Sequence, residues 1–194
     1  MPGKAVHEPG SSFNQCGDVD AGKRLRQDVG IHLDTLMMNR TSNKKVIPEL
    51  KVVFAKGGPR AAIAFLNSLT SHRFTSLYRF DGEMLRNAIF YDRENPELDH
   101  CEDIPVLASF CVFVRDSGAT FKTRDARHDV RLNNHPKQNT IQSYCGVPLL
   151  NPQGKMFGTI CHFDFKPGHI EDLDVELLEY MATLLLRSQP EQPV

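Results

Sequence analysis

Residues 143–165, SYCGVPLLNPQGKMFGTICHFDF, constrain the fold more than any other stretch. Two runs rich in β-formers flank Asn-Pro-Gln-Gly. Asn151 suits the first position of a type I turn, Pro152 sets φ at the second, and Gly154 can take the left-handed bulge position. The spacing predicts an antiparallel hairpin with Asn151 opposite Lys155. Counting outward, Leu149 faces Phe157, Val147 faces Thr159 and Cys145 faces Cys161. On the other side Leu150 faces Met156, Pro148 faces Gly158, Gly146 faces Ile160 and Tyr144 faces His162. Both sides carry apolar residues, which predicts burial on both. The side holding Gly146, Pro148 and Gly158 is thin. It leaves room for a close helix or for a ligand, with Tyr144 and His162 as polar tips.

Upstream, residues 1–20 are polar and rich in Pro, Gly and Ser, which predicts a disordered tail. Residues 21–38 place Leu25, Val29, Leu33, Leu36 and Met37 at helical spacing. A polar linker over 40–45 follows. A second helix starts near Pro48 and ends at Gly57-Gly58, and Pro59 opens a third. Residues 73–80 and 84–91 read as strands around the Asp81-Gly82 turn signal. Residues 93–103 form a polar loop. The apolar run 104–114 suits a buried helix better than a strand, and 119–123 is a short strand. A charged connection over 124–137 precedes the hairpin. The closing helix, started by Asp172 and Asp174, carries Leu173, Leu177, Leu178, Met181, Leu184 and Leu185 on one stripe. Hairpins among helices give an α+β layout, an antiparallel sheet flanked by helices.

Composition excludes several classes. A net charge of −1 gives no electrostatic case for nucleic acid or an anionic membrane. No apolar run reaches the roughly 18 residues needed to span a bilayer, and the N-terminus lacks the apolar core of a signal peptide. A cytoplasmic protein is expected. Five cysteines without CxxC spacing argue against a disulfide framework and against a structural zinc site. His100-Cys101-Glu102-Asp103 is metal-like in composition only, because adjacent ligands point apart in extended chain.

The segments SHRFTSLYRFDG, FCVFVRDSGATFKTRDARHDVRL and SYCGVPLLNPQGKMFGTICHFD with the closing helix resemble the GAF domain, a small-molecule-sensing relative of the PAS fold. The resemblance covers residues 58–187, leaving 21–57 as a helical extension and 188–194 as a tail. It implies about six antiparallel strands between helical layers and a ligand pocket between the sheet and the loops over one face. It also implies a homodimer formed through terminal helices. Asp125, Asp129 and Arg131 resemble the acidic, arginine-containing connection of such domains. One enzyme is built on this fold, free methionine-(R)-sulfoxide reductase, with cysteines in the loop before the penultimate strand. Residues 131–142 here contain none.

The candidate ligand-binding residues are Tyr78, Cys111, Arg115, Tyr144, His162 and Asp164. Tyr78 shares a strand face with Phe74, Ser76 and Phe80. Cys111 and Arg115 fall on one helical face, where a buried arginine needs an anion or carboxylate partner, or else caps the helix end. His162 sits in an apolar strand, as a ligand group or a hydrogen-bonded core histidine. Asp164, at a strand end, either binds a ligand or starts the loop. Cys145 and Cys161, set opposite each other, are candidates for a redox couple or two small core residues. No metal site or catalytic constellation emerges, and no cofactor is identified. The expectation is a stand-alone small-molecule sensor acting through a homodimer or a signalling partner. The alternative is a thiol-based redox sensor or reductase. A module whose pocket is filled by its own side chains is a third.

Overall fold

The computed structural model describes residues 43–188. The expected tail over 1–20, the helix over 21–38 and the segment beyond residue 188 lie outside the described residues. The first described element, α1 (Asn43–Leu69), contains Pro48 and Pro59 and leaves helical geometry at Gly58, with φ 72° and ψ −172°. Only glycine accepts that φ without strain. The two helices read from the glycine pair and Pro59 are therefore present, joined end to end.

Strands β1 (Phe74–Asp81) and β2 (Met84–Asp92) form a hairpin closed by Gly82 and Glu83, with Gly82 at φ 57°. A short edge strand, β3 (Ile104–Pro105), pairs with β2. Helix α2 (Cys111–Ser117) ends at left-handed Gly118, and β4 (Phe121–Thr123) follows. After two 3-10 turns come β5 (Ser143–Leu150), β6 (Met156–Asp164) and α3 (Asp172–Ser188). The six strands lie in the order β3-β2-β1-β6-β5-β4, and every neighbouring pair is antiparallel. The α+β class and the six-stranded sheet are as expected.

One expectation fails at residues 104–114. They are not a single buried helix but a strand, a 3-10 turn over Val106–Ala108 and the start of α2. Pro105 caps the turn, and Ser109 returns to extended backbone (φ −140°), which interrupts the helix that the apolar pattern suggested.

A second failure concerns register. The turn forms as read: Gly154 has φ 74°, Asn151 N–H donates to the Lys155 carbonyl (2.9 Å), and Asn151 Oδ1 accepts from Gln153 and Lys155 N–H. Beyond Leu150–Met156 a bulge inserts Phe157, so Leu149 pairs with Gly158. Every later partner slips by one, and a slip of one moves a side chain to the other face. Cys145 faces His162 rather than Cys161, and Cys161 faces Gly146. Tyr144 faces Phe163 rather than His162.

The sheet thus carries two cores. Leu77, Cys145, Val147, Leu149 and Ile160 pack beneath Leu50, Ile63 and Leu66 of α1 and Leu177, Leu178 and Met181 of α3. Asp174 begins α3 by accepting the N–H of Glu171 at 2.8 Å, a capping arrangement. On the opposite face Phe74, Tyr78, Tyr144, Cys161 and Phe163 pack under α2 and the segments before and after it.

Candidate functional site

The face under α2 is the candidate site, because its cover is built largely from irregular chain. Residues 92–103 contribute Leu98 and Cys101, α2 and the residue capping its start contribute Phe110, Cys111 and Val114, and residues 124–142 contribute Ala126, Leu132 and Ile141. The second segment is held by local acid–base pairs. Asp125 Oδ1 accepts the N–H of Arg127, and its other oxygen meets His128 Nδ1 at 2.8 Å. Asp129 pairs with Arg131, whose bond holds the carboxyl down at about 2. The Arg131 guanidinium lies over the Phe121 ring, 4.6 Å from its centre.

Rings line the interior. Phe113 stacks on Phe121 at 4.7 Å, Phe110 lies 4.8 Å from His135, and Tyr144 meets Phe110 edge-on at 5.8 Å. The polar atoms among these rings are phenols and thiols. Tyr144 Oη donates to Cys111 Sγ at 3.3 Å, and Tyr78 Oη lies 3.5 Å from Cys101 Sγ. Gly146 makes the first contact possible. A Cβ there would stand 2.2 Å from the Tyr144 hydroxyl, so the phenol lies flat over bare backbone. Cys111 and Cys161 are both fully buried in this core. Burial alone would raise the Cys111 thiol, but bonds from Cys161, Ser109 and Tyr144 outweigh it and hold the thiol below its usual range. The bond to Cys111, with burial, pushes Cys161 well up. Burial also pushes both phenols well above 10.

The family model for the GAF domain matches residues 59–187, two thirds of the chain. The chain belongs to the GAF domain family. A cyclic di-GMP phosphodiesterase of Pseudomonas aeruginosa is 32% identical over 86 residues, covering 42% of this chain and 15% of that protein. The chain thus spans less than a sixth of that relative's length. Among solved structures, the GAF domain of the Acinetobacter phosphoenolpyruvate-protein phosphotransferase superposes with a TM-score of 0.60 at 12% identity, over 77% of this chain and 93% of that one. Free methionine-R-sulfoxide reductase from Neisseria meningitidis, in complex with its substrate, gives 0.59 at 19% identity, over 74% of this chain and 86% of that one. These two likenesses concern the fold.

This GAF domain gathers four of the eight residues singled out from sequence, Tyr78, Cys111, Tyr144 and Cys161, under the α2 cover. The others go elsewhere. Arg115, though on α2, turns outward to Glu83 (3.3 Å) and Asp116 (2.9 Å) and so meets carboxylates, not the core beneath the helix. Cys145 lies on the helix side, where burial pushes it to about 12. His162 is also on that side: Asn67 Nδ2 donates to Thr75 Oγ1, and that hydroxyl lies 2.8 Å from His162 Nδ1. Burial, then the adjacent His72 and Arg93, hold the His162 ring well below 6.5 and neutral. Asp164 sits at the sheet end, with Oδ2 accepting Arg73 N–H (2.8 Å) and Oδ1 accepting Lys166 N–H (3.0 Å).

Sequence reasoning missed Phe110, Phe113, Phe121, His135 and Arg60. Phe110 and Phe113 bracket Cys111 at one helical turn, a visible signal. Arg60 gave none. From α1 its guanidinium donates to the carbonyls of Phe90 (3.1 Å), Pro96 (3.3 Å) and Asp99 (3.4 Å).

Proposed function

We propose that this GAF domain is a regulatory module that binds a small molecule under the α2 cover and passes the event to its terminal helices. The carrying observation is the attachment of the cover. Arg60 ties the 92–103 segment to α1 through the carbonyls of Pro96 and Asp99, and ties β2 through that of Phe90. Arg124 ties the 124–142 segment to the approach to α3: its carbonyl accepts Gly168 N–H (3.0 Å), and its guanidinium donates to Ile170 O (3.5 Å). A ligand that parts the aromatic rings displaces segments wired to both helices, so differential binding becomes a population shift. Output runs through a homodimer or a partner protein.

The deciding experiment is native mass spectrometry of the full chain purified from its own host, against its denatured mass. A retained small mass supports the reading. No retained mass, together with unchanged amide exchange over 92–103 and 124–142 across a metabolite library, removes it.

A specific observation favours a second reading. Cys111 and Cys161, which the sequence did not pair, are both fully buried in the core under α2. As a thiol sensor, the pair would reduce a hydroperoxide to an alcohol and water. Both thiol protons leave, the O–O bond breaks, the sulfurs give up two electrons, and one S–S bond forms. A loss of two mass units on peroxide treatment, abolished in Cys111→Ser and in Cys161→Ser, identifies it.

A further inference from the structure

The polar end of the sheet holds a cleft, away from the α2 cover and independent of the reading above. It has a volume of about 470 Å³ and is lined by His72, Arg73, Arg93, Asp164, Lys166 and Gly168, among others. That is ample for a small molecule.

Its floor is unusual. His72 is 1% exposed. Its Nδ1 lies 2.8 Å from Thr70 Oγ1, and the same oxygen accepts His72 N–H at 3.5 Å. Among the described residues His72 Nδ1 is the acceptor within reach of the buried Thr70 hydroxyl, and the pairing that uses it places the ring proton on Nε2. That atom is buried with no hydrogen-bond partner. It looks toward Gly168, where an added Cβ would lie 3.8 Å from it. A buried donor left unmatched is costly and calls for an acceptor.

The charges around it are unequal. Arg73 is neutralised by Asp92 (2.6 Å) and Glu94 (2.7 Å). Asp164 is committed to two backbone N–H groups, and His169 pairs with Glu171. Arg93 bonds neutral acceptors only: Nε gives to Asn67 Oδ1 (3.0 Å), and Nη2 gives to the carbonyls of Asn67 and Thr70. Its Nη1 makes none of these bonds. Lys166 is exposed, and its ammonium joins no ion pair among the described residues. Two cations without acids and one orphaned imidazole N–H therefore line one cleft.

We infer that this cleft is an oxyanion site, in which His72 Nε2, Arg93 and Lys166 receive the carboxylate or phosphate group of a small molecule. Charge-assisted bonds from arginine and lysine supply the attraction, and the buried imidazole supplies direction.

The test is histidine side-chain NMR of the full chain at fixed pH and ionic strength, titrated separately with inorganic phosphate and with acetate, chloride being the balancing anion. A saturable shift of the assigned His72 ring signals, larger than that of exposed His100 and His128, is expected with at least one probe. Saturation by phosphate points to a phosphate ester, and saturation by acetate points to a carboxylate. Lys166→Gln, at an exposed position that leaves the fold intact, should weaken the saturating probe by about tenfold, the scale of one charged hydrogen bond. A His72 response that matches chloride for both probes, or that Lys166→Gln leaves unchanged, overturns the site.

Discussion

The two faces of the sheet are buried alike and built differently. On one, aliphatic residues meet two long helices whose stripes repeat at helical spacing. On the other, rings and thiols meet a seven-residue helix and irregular chain. The first face is locked by regular backbone bonding. The second depends on side-chain pairs such as Asp129 with Arg131 and on the Arg60 grip, so it is expected to open before the first. A responsive domain needs that inequality, since a ligand can part only what local stability lets move.

The largest test of this contrast is Leu178→Ala, in the fully buried helix-side core. It should lower stability by about 4 kcal/mol in urea unfolding. Leu132→Ala, equally buried under the cover, should lose only about 2 kcal/mol, because irregular chain collapses onto the gap more readily. Its amide exchange should rise over 124–142 while α3 stays protected. Equal losses, or exchange rising everywhere, would make the faces one cooperative unit.

Gly158→Ala probes the seam between them. Its Cβ would stand 2.2 Å from the Tyr78 carbonyl oxygen, which belongs to the backbone and cannot swing away. A loss of about 3 kcal/mol is expected. A near-neutral result would show that β1 and β6 can part at little cost.

A smaller effect follows from pH. Burial depresses both His72 and His162. Asp174 and Asp164 oppose this at His72, while Arg93 adds to it. The unfolded rings titrate near 6.5, so below that pH the unfolded state binds protons that the folded state refuses. Stability present at pH 7 should therefore decline as pH falls through 6.5 toward the folded values. A denaturation midpoint flat from pH 7 to 5 would mean that both rings take up protons as readily in the folded protein as in the unfolded one.

The smallest effect is kinetic. Cys111, under the movable cover, should react with a thiol reagent about tenfold faster than Cys145, which needs the helix face to open. Equal rates in the native state would erase the distinction.

The helix face was legible because its information is periodic. Leu177, Leu178, Met181 and Leu184 announce a stripe whatever the rest of the chain does, and Gly58 and Pro59 announce the break in α1. The candidate site was only half legible. Tyr78, Tyr144 and Cys111 were named, but Cys161 was set beside Cys145 because one inserted residue, Phe157, leaves no mark on composition. His162 was placed with Tyr144 for the same reason.

By itself the sequence determined the order of the described elements outside residues 104–114, the turns at Gly82 and Gly154, the antiparallel sheet and its membership in the GAF family. Those rest on local backbone preferences and on repeating apolar patterns, which act between near neighbours. Only the tertiary structure decided which thiols share a core, which way Arg115 turns, and that His72 ends with a buried, unmatched Nε2 beside Arg93 and Lys166. Each of those outcomes depends on a strand register or on the meeting of distant segments, where a shift of one residue reverses the face and no local preference opposes it.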